Sequence, residues 1–401
     1  MNDISNIFYN IKLKIYECKT GKKYFDPIRK MFICITPEEN VRQRMIIFLQ
    51  SVLNVPSDYI FIEDHLNHYG VNNYNGRIDI SILDYDENPL AVVECKEPNI
   101  SIEGIQVYMQ AKDYAEAIGA KYIILVNGHQ IQFYKSNDNK YVPIEEILNY
   151  DEMVGFNGSP VSAIEFERFS MSQYKDIDFL KTHEWYRSKI GKDTEEDKIP
   201  TIINFDDCLW DFSHKLKGQI SDHLEVIEDL GVQFMNYGDA SGGNFGTGYY
   251  RLFLINNKKI KKQFLAGLSI ISTLKTVGDL KYGNRDGLTV LVVSKNDGDF
   301  DETSVQINLN KFLHVNRKNA VFTHDATVTR KGASKKAAID YIERNAPGLV
   351  KDNIINLGTI DNTVPMYIDN DDIKKLIGRI FEYSIYRDEY KHSLNKSIVR
   401  H

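Results

Sequence analysis

The sequence is short of several things, and each shortage excludes a class of protein. It contains no run of about 18 apolar residues and no basic-apolar-small signal at its start, so neither a membrane span nor secretion is expected. Its four cysteines, Cys18, Cys34, Cys95 and Cys208, are scattered through 401 residues without metal spacing, which fits a reducing cytoplasm. A phosphate loop of the form G-x-x-x-x-G-K-[ST] is missing, so no ATP-driven motor is expected. The nearest candidate, a stretch with Gly242, Gly243, Gly246 and Gly248, lacks the lysine and reads as a turn or bulge between strands. A surplus of positive charge is absent too. With 49 Lys and Arg against 56 Asp and Glu, the net charge is −7. The molecule as a whole therefore repels a polyanion, and affinity for nucleic acid must come from local basic patches. Three modest ones exist: the N-terminal segment from Lys12 to Lys30, Lys258 to Lys262, and Arg330 to Lys336. What remains is an ordinary chain, 42% hydrophobic and 26% charged, long enough for two domains.

The stretch from Gly76 to Lys96 concentrates the chemistry. Arg77-Ile-Asp-Ile-Ser-Ile-Leu83 alternates strictly, which in a strand puts Ile78, Ile80 and Ile82 on one face and Asp79 and Ser81 on the other. Asp84 to Pro89 is turn chemistry. Leu90-Ala-Val-Val-Glu-Cys-Lys96 reads as a largely buried strand with Glu94 and Lys96 on one face. If the two runs pair as a hairpin, Asp79, Glu94 and Lys96 converge. Two carboxylates about 4 Å apart repel by roughly 4 kcal/mol at an effective dielectric of about 20, so such a cluster holds either a proton or a hard cation. Oxygen-only ligands left partly open suit Mg²⁺, with Mn²⁺ as a substitute, and a neighbouring Lys can orient an attacking water and stabilise charge on a phosphoryl group. The plain alternative is a solvated Asp beside a strand-end Glu/Lys pair. A second Glu-Cys-Lys at Glu17 to Lys19 has no hairpin before it, so the tripeptide alone carries little.

Around this centre the chain reads as alternating helices and hairpins. Residues up to about Phe32 look like a partly extended basic arm. Thr36 is a good N-cap, with Pro37 at the first helical position and Glu39 placed to close a capping box. Val41, Met45, Phe48, Leu49 and Val52 form the apolar stripe of that helix, and Glu38 extends the stripe toward its N-terminus. Glu38 is thus favoured over Glu39 as a further member of the acidic cluster, with a helix-dipole role for both as the alternative. Tyr59 to Ile62 suits a strand, and His65 and His68 fall in a surface loop. Ile102 to Ile118 has helical composition and stops at Gly119, with Gln110 and Tyr114 four apart on one face. Lys121 to Val126 and Gln130 to Tyr134 read as two further strands joined at Asn127-Gly128. The sum is a compact α/β unit with a mixed sheet.

Five ordered motifs in this region, Thr36-Pro-Glu-Glu-Asn-Val-Arg-Gln43, Gly76-Arg-Ile-Asp79, Val93-Glu-Cys-Lys-Glu-Pro98, Gln110-Ala-Lys-Asp-Tyr114 and Tyr122-Ile-Ile-Leu-Val-Asn-Gly128, closely resemble the N-terminal nuclease domain of type I restriction enzyme R subunits. This is a branch of the PD-(D/E)xK nuclease superfamily, and the resemblance covers residues 1–150. It implies a restriction-endonuclease-like mixed sheet flanked by helices, with DNA as substrate and a part in defence against foreign DNA. It also implies Asp79, Glu94 and Lys96 as the catalytic triad, Glu38 as the first-helix acid, and Gln110 with Tyr114 as the pair that supports the site near DNA. Ile78 stands where the superfamily has Pro, a tolerant position on the core side. An R subunit would continue into a helicase motor; without a phosphate loop this chain does not.

Residues 151–200 read as a connector ending in the charged run Lys192 to Lys198, and residues 201–401 as a separate α/β domain for targeting, sensing or assembly. Asp206 to Leu230 places Leu209, Phe212, Leu216, Ile220, Leu224 and Ile227 at helical spacing, either a core stripe or a dimer face. Strands are expected over Tyr249 to Ile255, Phe264 to Ser272, Leu288 to Val293 and Ser304 to Leu309, and helices over Ser334 to Asn345 and Asp371 to Arg387. Ser334 would cap a helix whose entry carries Arg330, Lys331, Lys335 and Lys336, which together with Gly332 make a candidate phosphate cradle or simply a solvated loop. The sequence thus predicts a Mg²⁺-dependent endodeoxyribonuclease acting on DNA, with a homodimer or a defence-system protein as further partner. The competing expectation is a non-catalytic nucleic-acid-binding or assembly module that keeps the fold.

Overall fold

The computed structural model describes residues 2–71, 76–138, 140–155, 166–183, 186, 189–235, 248–280, 283–298 and 301–398. Gly242, Gly243 and Gly246 lie outside the described residues, while Gly248 opens a strand. The chain divides into two compact units, residues 1–17 with 21–163 and residues 18–20 with 164–401. Both are mixed α/β. Among the described residues no helix is long and apolar enough to cross a membrane.

The first 34 residues are folded rather than an extended arm. Helix α1 (Asn2–Asn10) is followed by β1 (Tyr16–Cys18), β2 (Gly21–Asp26) and β3 (Met31–Cys34), which form a three-stranded sheet. The lysines that make this segment look solvated are interleaved with aromatics. Tyr16, Phe25 and Phe32 meet edge to face at 5.8 to 6.1 Å, and Phe8 is buried against Phe48. Aromatic pairs of this kind stabilise by about 0.5–1.5 kcal/mol each beyond their buried area, enough to order a segment that its charge pattern alone would leave in solvent.

Helix α2 (Pro37–Ser51) begins as its sequence dictates, with the Thr36 hydroxyl accepting from the Glu39 amide and Pro37 in the first turn. It buries Val41, Met45, Phe48 and Leu49 against the central sheet. That sheet has six strands in the order β4 (Ile60–His65), β5 (Arg77–Leu83), β6 (Pro89–Cys95), β7 (Tyr122–Val126), β8 (Ile131–Asn137) and β9 (Lys140–Ile144). Only β6 and β7 run parallel, because α3 (Ile105–Ile118) carries the chain back between them. The pleat sends Val93, Ile124 and Val126 to the α2 side and Val92, Ile123 and Leu125 to the α3 side, where Val107, Ala111 and Ala115 cover them.

One expectation about β5 fails at its first residues. Ile80 and Ile82 share the α2 side, but Ile78 packs with Leu66 in the other core. The ladder with β6 starts only at Ile80–Val93, so the strand upstream of it is not held to its neighbour's pleat. Asp79 sits at that parting.

In the C-terminal unit six antiparallel strands follow in the order Gly218–Gln219, Leu224–Met235, Gly248–Asn257, Lys262–Ser272, Thr289–Asn296 and Asp301–Asn308. A four-stranded sheet and the helices Ile199–Trp210, Lys335–Asn345 and Asp371–Ile398 share one large core with them. The helix expected over Asp206 to Leu230 is not there. It begins at Ile199, with Pro200 in its first turn, and stops at Trp210. Leu216 and Ile220 are buried in the connection that follows, and Leu224 opens a twelve-residue strand. The helix is stopped from across the fold. Arg251, wholly buried on a later strand and paired with Asp229, donates to the carbonyls of Cys208, Asp211 and His214. Carbonyls satisfied by a guanidinium no longer need amides one turn on.

Candidate active site

The site is assembled where β5 and β6 part. The β5–β6 register carried one step past Ile80–Val93 sets Asp79 opposite Glu94. There the Cys95 amide is taken by the Asp79 side chain, N–H to Oδ2 at 2.8 Å, so the strand end fixes the carboxylate through β6. Lys96 donates to Glu94 Oε1 at 2.5 Å and to Gln110 Oε1 at 3.2 Å, which ties the strand end to α3. Asp79, Glu94, Lys96 and Gln110 are thus brought together. Tyr114, one turn beyond Gln110, packs half-buried against the core on the α3 side.

Glu94 is the group under most electrostatic stress. It is 1% exposed, and its Oε2 is buried without a hydrogen-bond partner. Burial, together with the nearby Asp79 and Glu38 carboxylates, pushes its pKa up to about 7, and the Lys96 ammonium only partly offsets this. Lys96 is raised as well: burial opposes its charge, but the Glu94 carboxylate holds its pKa above the ordinary value. The Cys95 thiol is pushed well up by burial and by Asp79, so it is inert packing rather than a nucleophile.

A residue that the sequence reading passed over dominates the rest of the site. Arg42 of α2 is 4% exposed. Its Nη2 donates to Asp79 Oδ1 at 2.7 Å and to Glu38 Oε1 at 2.6 Å; its Nη1 donates to Glu39 and lies 3.6 Å from Glu63. Burial opposes its charge, but Asp79 and Glu39 hold it well above the usual arginine range. Glu38 stays 49% exposed and near enough to raise Glu94 and Lys96. Glu39 does not close a capping box. Its carboxylate is drawn inward by Arg29 at 3.0 Å, by Gln43 at 3.0 Å and by Arg42, because charge-assisted bonds outweigh one to the Thr36 backbone amide. Both helix-start acids therefore belong to the cluster, not Glu38 alone.

Arg29 extends the network to Asp26 at 2.8 Å and to Glu63 at 2.9 Å. Glu63 lies in β4 with φ at +53, in the left-handed region that a non-glycine residue enters at a cost of about 1–3 kcal/mol. From there its carboxylate reaches Arg29, Arg42 and Arg77. A signal for Arg42 was present, since it falls three and four residues after Glu39 and Glu38 on one helix face. Arg29 and Glu63 had none, being remote in sequence. His65 and His68 are surface residues as expected, the latter paired with Asp64 at 2.6 Å.

Residues 37–147 match the family model of the type I restriction enzyme R protein N terminus. The matched segment runs from the first residue of α2 past the end of β9, so it contains Glu38, Arg42, Asp79, Glu94, Lys96, Gln110 and Tyr114. The match likens this segment to a restriction-related nuclease domain. Everything after Ile147 lies outside the match. No curated protein and no solved structure matches the chain.

Among the described residues no set of three or more His, Cys, Asp and Glu side chains forms a metal cluster. The donors at this strand end are two carboxylates, and Glu94 Oε2 is buried without a hydrogen-bond partner. That set fits a hard divalent ion that keeps several waters, and it does not fit zinc. The candidate phosphate contacts belong to the C-terminal unit. Ser334 does cap its helix, accepting from the Ala337 amide, but its own amide donates to the Tyr390 hydroxyl at 3.2 Å. Lys335 is paired with Asp325 at 2.5 Å, while Lys331 and Lys336 are exposed.

Proposed function

We propose that this chain is a Mg²⁺-dependent endonuclease of the PD-(D/E)xK type that hydrolyses DNA in defence of a cell against foreign DNA. The observation that carries the reading is the Glu94 oxygen, buried and unpartnered, on a carboxylate near enough to Asp79 to be raised by its charge. A buried carboxylate with an ammonium on one oxygen and nothing on the other is still costly beside a second carboxylate, and a fold tolerates that where a ligand supplies further positive charge. A divalent ion held by Asp79 and Glu94 would acidify water and polarise a phosphoryl oxygen. Lys96, held between Glu94 and Gln110, presents an ammonium to the charge that builds on the phosphoryl oxygens as the attacking water adds and the sugar oxygen leaves. Gln110 orients that ammonium, and Glu38, half exposed, borders the entrance.

The competing reading is a non-catalytic nucleic-acid-binding or assembly module. Arg42 is what favours it, because a carboxylate already paired with a guanidinium has less need of a metal. Incubating the full chain with plasmid, linear and single-stranded DNA and with RNA, under Mg²⁺, Mn²⁺ or EDTA, separates the two. Metal-dependent scission of DNA is expected, reduced at least about 100-fold by each of Asp79→Asn, Glu94→Gln and Lys96→Ala. Cleavage that persists in EDTA, or in all three variants, would sink the assignment. Binding without scission under every metal would establish the module instead.

A further inference from the structure

A nuclease with this much acid could work with one divalent ion or with two, and the position of Arg42 bears on which. Two-metal sites hold their ions about 3.5–4 Å apart, bridged by a shared carboxylate. Here Asp79 is the shared carboxylate, flanked by Glu94 on one side and Glu38 on the other. On the Glu94 side there is a buried oxygen with no partner. On the Glu38 side the bridging place is filled, since a single guanidinium nitrogen, Arg42 Nη2, contacts Asp79 Oδ1 at 2.7 Å and Glu38 Oε1 at 2.6 Å.

That guanidinium is not free to leave. Its other terminal nitrogen is bound to Glu39, which Arg29 and Gln43 hold in turn, and Glu63 stands 3.6 Å away in a strained backbone conformation. The arginine is buried and its charge is reinforced by four carboxylates, so it does not swing out to solvent as a surface side chain would.

Building on the nuclease reading above, we infer that Arg42 is a built-in second cation: it occupies the position between Asp79 and Glu38 that a second metal would take, fixes the Asp79 carboxylate for the first, and makes this a one-metal nuclease. Arg42 is a positioning residue that acts through Asp79. Glu38 then serves the arginine and not the metal.

The test is metal stoichiometry in the 401-residue chain, read both by spectroscopy without catalysis and by the metal dependence of cleavage. Titration with Mn²⁺ followed by electron paramagnetic resonance should give one tight ion per wild-type chain with a mononuclear spectrum, and the cleavage rate should rise with Mg²⁺ with a Hill coefficient of one. Arg42→Met should admit a second ion and produce the broadened spectrum of a coupled pair. Glu38→Gln in the otherwise wild-type chain should leave Mn²⁺ affinity within about twofold, because its oxygen serves the guanidinium, and this variant keeps the buried arginine should Arg42→Met fail to fold. A coupled pair in the wild-type protein, or a tenfold or greater loss of Mn²⁺ affinity in Glu38→Gln, overturns the one-metal inference and leaves the nuclease reading standing. No bound ion at all overturns the metal centre itself, and this inference with it.

Discussion

A carboxylate that the fold strips of water and sets beside another carboxylate is a source of instability as well as chemistry. Glu94 is that group, and the sign of its effect follows from linkage. Its pKa is raised from an ordinary 4.5 to about 7, so the native state binds the proton that the unfolded state has released. The contribution is fully favourable below 4.5 and is lost as pH rises through about 7. In metal-free protein, Glu94→Gln should therefore stabilise by on the order of 1–3 kcal/mol at pH 8 and make little difference at pH 4, measured by chemical denaturation. A variant less stable than wild type at pH 8 would contradict the strain at this position. His324 runs the opposite way. Its Nδ1 accepts from the Ala326 amide at 3.1 Å and sits 2.6 Å from the Tyr383 hydroxyl. Burial and the neighbouring Arg387 push its pKa down to about 4 from 6.5. Its contribution is present above 6.5 and is lost as pH falls through about 4. His324→Asn keeps an acceptor and removes the proton site, so its stability should fall less steeply than wild type over that window. Parallel curves would show that the imidazole does not titrate as placed.

Among the elements, the long helix Asp371–Ile398 shows how tertiary contact reverses a local preference. Gly378 lies inside it, and in an exposed helix Gly→Ala stabilises by about 1 kcal/mol. Here an added Cβ would stand 1.9 Å from the Ile220 carbonyl oxygen, a backbone atom that cannot rotate aside. Gly378→Ala should destabilise by roughly 2 kcal/mol or more, lowering Tm by several degrees. A neutral or raised Tm would mean that the helix does not press on the Ile220 segment so closely. The same contact explains why Ile220 looked helical in sequence and is not: it is held as loop, buried under this helix while the Arg251 guanidinium occupies the helix-end carbonyls upstream.

For the whole molecule, charge sets the terms on which the proposed nuclease would meet DNA. A net charge of −7 leaves local patches to do the binding. Arg330, Lys331 and Lys336 form one such patch, whereas Lys335 is engaged by Asp325. We expect replacement of Arg330, Lys331 and Lys336 by Gln in the full chain to weaken DNA binding and to flatten the plot of log K against log salt by about two to three units of slope. An unchanged slope would assign the C-terminal unit to protein contacts. Much of the nuclease-like unit was legible in the sequence because its signals are local. Alternation marks β5, a cap and proline mark α2, and a fixed two-residue offset sets Glu94 and Lys96 on one face. The pairing of β5 with β6 then brings Asp79 to them. In the C-terminal unit four of the strands and two helices were legible for the same reason, but the Leu224–Met235 strand began inside a stretch that looked helical and nothing local gave the unit's role. What only the tertiary structure decided is which charges meet. Arg29, the α2 pair Glu39 and Arg42, Glu63 and Asp79 come from four separate segments, and a guanidinium chooses among carboxylates by distance in space. Helix spacing records only the Arg42 pairings with Glu38 and Glu39; those between segments have no sequence periodicity, because they depend on separations that exist only after the sheet and helix have packed.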